Sequence, residues 1–183
     1  MQFSTALRNA RLDAIETLIG TSAVLCLWSA ALPGNCAAAD AGTDLARATL
    51  PSDWMSDASA GSKAKSGTWQ DAAANANGLA RHYRIYASNG TTCHIQGLVS
   101  MPWAASTAVQ VGQQMHNGGN VYVVTTAGTT ASSGGPSGTG TGITDGSVTW
   151  NYVGPVDMTI DNVDIAVGQQ VTVTGYTLTE GGA

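Results

Sequence analysis

The chain has 183 residues, enough for one ordinary hydrophobic core or a core with a small satellite unit, and carries a formal charge of -5. All seven cations, Arg8, Arg11, Arg47, Lys63, Lys65, Arg81 and Arg84, lie in the first half, and the acidic balance excludes a nucleic-acid binder that works through a basic patch. Between Arg84 and Asp157 the only charged residue is Asp145, and much of the 43% apolar content is alanine. The core must therefore rest on a few Trp, Leu, Ile and Val positions, each worth about 1.5–3 kcal/mol.

From Ser4 to Ile19 the apolar residues Leu7, Ala10, Ala14 and Leu18, with Leu12, Ile15 and Ile19 beside them, fall at helical spacing. Ser4 is placed to cap the start and Gly20 to end it. Arg8 and Arg11 lie toward the positive end of this helix dipole and Asp13 and Glu16 toward the negative end, the reverse of what an isolated helix prefers. Either these charges are exposed and tolerate the misfit, or they have partners elsewhere. On the second reading Phe3, Leu7, Arg8, Arg11 and Ile15 are candidate subunit-contact residues, one apolar face covering the body while the arginine flank pairs with acidic groups on a neighbour.

The apolar run Leu18 to Leu32, followed by Ala37-Ala38-Ala39-Asp40, has the outline of a secretory leader. Asp13 and Glu16 in the supposed positive region, and the long amphipathic segment before the run, count against that reading. No stretch of about 20 apolar residues is present, so no membrane span is expected.

After Gly20 the period changes to two. Ala23 to Trp28 and Leu45 to Leu50 read as strands, and Pro51-Ser52-Asp53-Trp54 as a turn or short helical start. His82 to Tyr86 and Cys93 to Val99 flank the hairpin turn Ser88-Asn89-Gly90-Thr91. Near the end, Met158 to Ile160, Gln170 to Thr174 and Tyr176 to Thr179 are Thr- and Val-rich strands. The fold expected is mainly β: an antiparallel jelly-roll-like sandwich with one N-terminal helix.

Residues 101–155 behave as a guest within it. Asn120 to Val124 and Ser147 to Tyr152 are strands joined by a Gly-rich loop, Ala127 to Gly146, that has no large apolar residue before Ile143 and is expected at a mobile outer tip. Without them, Gly97-Leu98-Val99 runs into Asp157 to Ile160, two strands that a short turn would pair. Residues 1–100 and 156–183 are thus assigned to helix and sandwich, and 101–155 to an inserted small β-module that projects outward.

Cys26, Cys36 and Cys93 are an odd set without a CxxC pair, so neither a zinc site nor a full disulfide framework is expected. Cys26 sits in an apolar run and reads as core; Cys36 and Cys93 lie in turn-rich segments. A bridge between those two is one reading, and reduced buried thiols of a chain made in a cytoplasm is the favoured one.

No HExxH, GxSxG or P-loop motif occurs, and His82, His94 and His116 lack spaced carboxylate or cysteine partners, so no catalytic residue, metal site or cofactor is assigned and the chain does not read as an enzyme. His82 and His94 are expected on the sandwich surface. Asp157, Asp161 and Asp164 read as solvated turn carboxylates rather than calcium ligands. Trp103, Tyr122 and Trp150 are the candidate glycan-binding residues, since aromatic faces stack on sugar rings; the competing reading makes them the core of so small a module.

Ser4 to Glu16, Leu50-Pro51-Ser52-Asp53-Trp54-Met55, Lys63 to Asp71 and the hairpin Tyr83 to Gln96 resemble a family of small virion proteins of tailed phages and prophages. The likeness covers residues 1 to about 99 and 156–183. By size and architecture that family resembles jelly-roll cement or decoration proteins on the outer capsid surface. The resemblance implies a structural protein made in the host cytoplasm, with the major capsid protein and further copies of itself, as dimer or trimer, for partners, and neither nucleic acid nor membrane. The insert, in Trp103 to Ala108, Asn117 to Tyr122 and Asp145 to Trp150, resembles small β-modules of phage tail fibres and carbohydrate-binding proteins. It implies the alternative of a fibre or host-adhesion protein whose insert binds surface glycans.

Overall fold

The computed structural model describes residues 1–181. One helix, α1 (Thr5–Ile19), precedes sixteen strands. The Ser4 side chain accepts from the Leu7 amide, and Gly20, at φ 84°, closes the other end with its N–H donating to Glu16 O. Both caps are those the sequence signals.

The first sheet holds β1 (Val24–Trp28), β2 (Asp44–Thr49), β6 (His82–Tyr86) and β7 (Cys93–Pro102) in the order β2-β1-β6-β7, all antiparallel. The second is built on β16 (Val171–Thr179), which pairs antiparallel with β14 (Met158–Ile160), β3 (Ser62–Ala64) and β4 (Gln70–Asp71). A two-stranded ribbon, β5 (Gly78–Leu79) with β15 (Asp164–Ile165), lies beside them. The expected class is the observed one, a mainly β sandwich with one N-terminal helix. The two strands read at 170–174 and 176–179 are one strand, β16, continuous through Gly175.

Leu25 and Leu27 of β1 and Tyr83 and Ile85 of β6 point into the core between the sheets, against Trp54, Trp69, Val173 and Tyr176. The aromatic rings form a chain: Trp54 to Trp69 at 5.8 Å, Trp69 to Tyr176 at 5.2 Å and Tyr176 to Tyr83 at 5.6 Å. The indole N–H groups are satisfied, Trp54 by Gly20 O at 3.1 Å and Trp69 by Ser66 O at 3.0 Å. β1 and β6 are buried on both faces, because the segment 29–43 folds back over the outer side, above Val24, Cys26, Trp28 and Tyr86. Such two-sided burial is what the unbroken apolar run of β1 requires.

His82 corrects its expected surface position. It is fully buried under this segment, with Nδ1 hydrogen-bonded to Ala30 O at 2.8 Å and its ring stacked on Trp28, and burial holds its pKa below the ordinary histidine value.

Residues 101–155 add β8 (Ala108–Val109), β9 (Gln114–Asn117), β10 (Asn120–Thr126), β11 (Gly128–Thr129), β12 (Ile143–Asp145) and β13 (Val148–Pro155). The sheet β12-β13-β10-β9 joins the last two residues of β7 in parallel, Met101 opposite Met115 and Pro102 opposite His116. It has a core of its own around Met115, Tyr122, Val124, Val148 and Trp150, and Met101 packs against both cores.

One connection differs from the sequence reading. β7 and β14 pair in parallel, Val99 opposite Met158 and Ser100 opposite Thr159. A parallel pair cannot be closed by a short turn, so residues 101–155 act as the crossover that returns the chain to the starting end.

Candidate functional site

The face of α1 that meets the sandwich is held largely by polar groups. Lys63, only 3% exposed, places its ammonium 2.8 Å from Asp13 Oδ1 and 3.0 Å from Glu16 Oε2. Burial disfavours that charge, but the two carboxylates outweigh it and the Lys63 pKa rises above its ordinary value. Asp13 is correspondingly lowered, by Lys63 first and by the Ala58 amide second. Asn9 Oδ1 accepts from the Gly61 amide at 2.9 Å and Glu16 Oε1 from the Met55 amide at 3.1 Å. Leu12 and Ile19 are buried in the same seam, with Ile15 against the main core.

The reversed charges of the helix are thereby explained, and the expected role of two of them is corrected. Arg11 Nη1 forms an ion pair of 2.6 Å with Glu180 Oε1, and Arg8 Nη1 donates to Glu180 O at 3.3 Å. Both guanidiniums hold the chain's own C-terminal strand extension, while the Arg11 side chain stays 50% exposed. Phe3 is half-buried, with the Arg11 guanidinium 5.2 Å from its ring centroid. Of the five proposed contact residues only Leu7, 46% exposed, offers an unpartnered apolar side chain.

Leu7 does not stand alone. Ala10, Ala14 and Leu18 are also exposed, Leu18 to 74%. At about 100° per residue, these four fall within about 80° of arc on the side away from the sandwich. α1 therefore carries an outward apolar stripe as well as an inward apolar seam.

The insert's candidate residues are placed otherwise than a sugar platform needs. Tyr122 and Trp150 are 1% and 0% exposed and form the module core, so neither presents a ring face. Trp103 is half-buried, donates from Nε1 to Asp145 Oδ2 at 2.7 Å, and lies under Gly135, where a Cβ would stand 3.0 Å from its ring. The reason is size, since a module of this length has few other large side chains, chiefly Met115, Ile143 and Tyr152, from which to build a core.

The Gly-rich loop is likewise tied down. Asn117 Nδ2 donates to Gly134 O and Pro136 O, the Tyr122 hydroxyl to Gly138 O, the Tyr152 amide to Gly140 O, and the Gly142 amide to Asn151 Oδ1. It lies back over the module sheet instead of standing off as a tip. Asp145, 5% exposed, spends its second oxygen on the Ala131 amide, so the one charged residue of the insert is structural.

A cleft of about 480 Å³ that touches both regions is lined by Leu32, Arg81, Leu98, Val153, Pro155 and Asp157, among others. Arg81 is the one cation among the described residues without a side-chain hydrogen-bond or ion-pair partner, and its buried Nε is unsatisfied. Burial raises the Asp157 pKa, partly offset by the Leu98 amide that donates to Oδ2 at 2.8 Å. Asp161 accepts from Thr172 N and Asp164 from Gln110 Nε2, and among the described residues no three His, Cys, Asp or Glu side chains gather as a metal would require. No helix is long and apolar enough to cross a membrane. No family model, curated protein or solved structure matches the chain.

Proposed function

We propose that this chain is a structural phage virion protein, a decoration or cement protein that lies on the outside of the head and stabilises it without catalysing a reaction. The observation that carries the reading is the outward stripe of α1, Leu7, Ala10, Ala14 and Leu18, on a helix anchored from behind by Lys63 and along the stripe's edge by Glu180. A helix fixed by ion pairs and apolar on its free side is built to present that side to another protein surface. The insert adds a nearly uncharged outer body whose one carboxylate is buried, which suits a shell component. The resemblance of the helix and hairpin segments to small virion proteins points the same way.

The stripe also selects the test. Removing residues 1–19 would uncover the core beneath Leu12 and Ile19 and strip Lys63 of both counter-charges, so loss of binding by that deletion would say nothing specific. The double substitution Leu7→Asp with Leu18→Asp changes exposed positions only. Wild-type protein is expected to co-sediment with heads assembled from the cognate major capsid protein and to raise the temperature at which they rupture. The double variant should keep its Tm within about 2 °C and lose co-sedimentation. Wild-type protein that ignores heads would sink the function, and a double variant with normal occupancy would move attachment away from α1.

A further inference from the structure

Segment 29–43 is a cover held by a set of polar pins. Ser29 and Thr43 close its neck, the Ser29 amide donating to Thr43 O and the Thr43 amide to Ser29 Oγ. Gln96 Nε2 donates to Pro33 O at 2.6 Å. The buried Arg84 guanidinium donates to Asn35 O, Ala38 O and Asp40 Oδ1, and Tyr86 donates to the same carboxylate. No residue from Ser29 to Thr43 is itself buried. A lid over Val24, Cys26, Trp28 and Tyr86 thus places no fully buried residue of its own in the core, and its stability depends on how firmly those pins hold.

Cys36 sits at the crest of this lid, in the turn where Asn35 Oδ1 accepts from the Ala37 and Ala38 amides. The carbonyls on either side of it, those of Asn35 and Ala38, are both fixed to Arg84, which lies on β6 opposite Gln96 of β7. Cys93 opens β7 opposite Tyr86 and packs against the cluster beneath the lid. Both thiols are free, and the lid brings them to one place: Asn35 O, just before Cys36, is bound by Arg84, which shares Asp40 with Tyr86, the residue opposite Cys93. Burial, then the contact with Cys36, pushes the Cys93 thiol up to about 12. Cys26 is fully buried in the strand below and pushed to about 12 by burial, which leaves it out of reach of dissolved reagents.

We propose that Cys36 and Cys93 are an oxidisable pair that closes to a disulfide and staples the lid to β7, with a small-molecule disulfide of the glutathione class as oxidant. The Cys36 thiol, on the outer loop, loses its proton and attacks one sulfur of the oxidant, releasing one thiol and leaving a mixed disulfide. The Cys93 thiol then loses its proton and attacks Cys36 Sγ, and the second small thiol departs. Two electrons pass from the protein to the oxidant, and the products are one protein disulfide and two reduced thiols. The bridge spans residues 36–93 and ties the cover to the hairpin on which it rests. If the chain rides on a particle that leaves a reducing cytoplasm, the staple closes outside. That clause rests on the proposed function, whereas the chemistry needs only the purified protein.

The test uses the full chain incubated with oxidised glutathione, quenched with an alkylating agent and mapped without reduction. One Cys36–Cys93 cross-linked peptide is expected, with the thiols titrated after denaturation falling from three to one. Tm should rise by about 5–10 °C and return on adding dithiothreitol. Cys36→Ser and Cys93→Ser, both partly exposed positions, should each abolish the cross-link and the rise. Three surviving thiols, a glutathione adduct on Cys36 that never closes, a bridge to Cys26, or an unchanged Tm rise in Cys36→Ser would each overturn the proposal. None of these readouts involves capsid binding, so failure here and failure of the decoration reading are separable.

Discussion

The sandwich and the insert solve the same problem with different materials. The sandwich places four aromatic rings, Trp54, Trp69, Tyr176 and Tyr83, between two sheets, satisfies the indole N–H groups of Trp54 and Trp69 but not that of Trp28 under the outer segment, and sets charges in pairs: Lys63 with Asp13 and Glu16, Arg84 with Asp40, Arg11 with Glu180. The insert has the sheet β12-β13-β10-β9, a two-stranded β8–β11 ribbon, one fully buried tryptophan whose Nε1 finds no partner, and a Gly-rich loop tied down over the larger sheet. Loop carbonyls and side-chain amides there do what strand pairing and ion pairs do in the sandwich. A chain poor in large apolar residues can still close a small module, provided its backbone polar groups are consumed locally.

The largest effect that tests this contrast is Trp150→Ala. Removing the centre of the insert core should cost about 3–5 kcal/mol, since little else can collapse into the space. Hydrogen exchange should show the loss confined to β9, β10 and β13, with β1 and β6 still protected. Equal loss of protection in β1 and β6 would mean that the two cores are one cooperative unit. A milder pair of changes sharpens the point. Trp69→Phe deletes hydrogen bonds to Ser66 O and Trp54 O, while Trp150→Phe deletes none. Ring volumes change alike, so Trp69→Phe should be the costlier by about 1–2 kcal/mol in denaturant melts. The reverse order would show that Nε1 of Trp150 is satisfied in solution.

The loop itself is probed by Gly135→Ala. Gly135 has φ +79°, and a Cβ there would meet Asn117 Nδ2 at 2.8 Å and the Trp103 ring at 3.0 Å. About 1–2 kcal/mol of destabilisation is expected, together with greater exposure of Trp103 by fluorescence quenching. An unchanged melt would show that the loop is not packed on the tryptophan.

Much of the sandwich was legible in the sequence, because its signals are local. Ser4 and Gly20 bracket α1, and the alternation of His82 to Tyr86 assigns Tyr83 and Ile85 to one face and Arg84 and Tyr86 to the other. What was missed depends on contacts far apart in the chain. No local pattern tells that Glu180 returns to Arg11, that segment 29–43 turns His82 inward, or that β14 lies parallel to β7. The short strands β3, β4, β5 and β8 are two or three residues long and carry no period to read. In the insert, an uncharged glycine run looked like a mobile tip because its ties come from Asn117, Tyr122 and Asn151, outside the run itself.

Acid distinguishes the two regions again, because the insert's one carboxylate is neither paired with a cation nor shared with the helix. Lys63 holds Asp13 below the ordinary carboxylate range, so this pair contributes stability at neutral pH and loses it as pH falls through that lowered pKa. The Lys63 pKa is raised, so its own contribution persists until alkaline pH, above about 10. Below about pH 4 the α1 seam should loosen first, seen as faster exchange of the Ala58 amide, which donates to Asp13, while the insert amides stay protected. Simultaneous loss in both regions would show that the seam is not held by this pair.

The smallest expected effect lies at the junction between the regions, at Asp157. Its carboxylate is half-buried in the cleft beside Gly154 and Pro155, and burial raises its pKa despite the hydrogen bond from the Leu98 amide. A carboxylate whose folded pKa lies above its unfolded value binds its proton more tightly when folded. Its ionised form is therefore a cost at neutral pH, and that cost vanishes below the ordinary carboxylate range, where both states are protonated. Asp157→Asn keeps an oxygen for the Leu98 amide and removes the charge. Its Tm should exceed that of the wild type by about 1–3 °C at pH 7 and match it near pH 3. A lower Tm at pH 7 would mean that the ionised carboxylate is stabilised at the junction, most directly by the otherwise unpartnered Arg81 across the cleft, an electrostatic contact that the sandwich makes within itself at the edge of the insert.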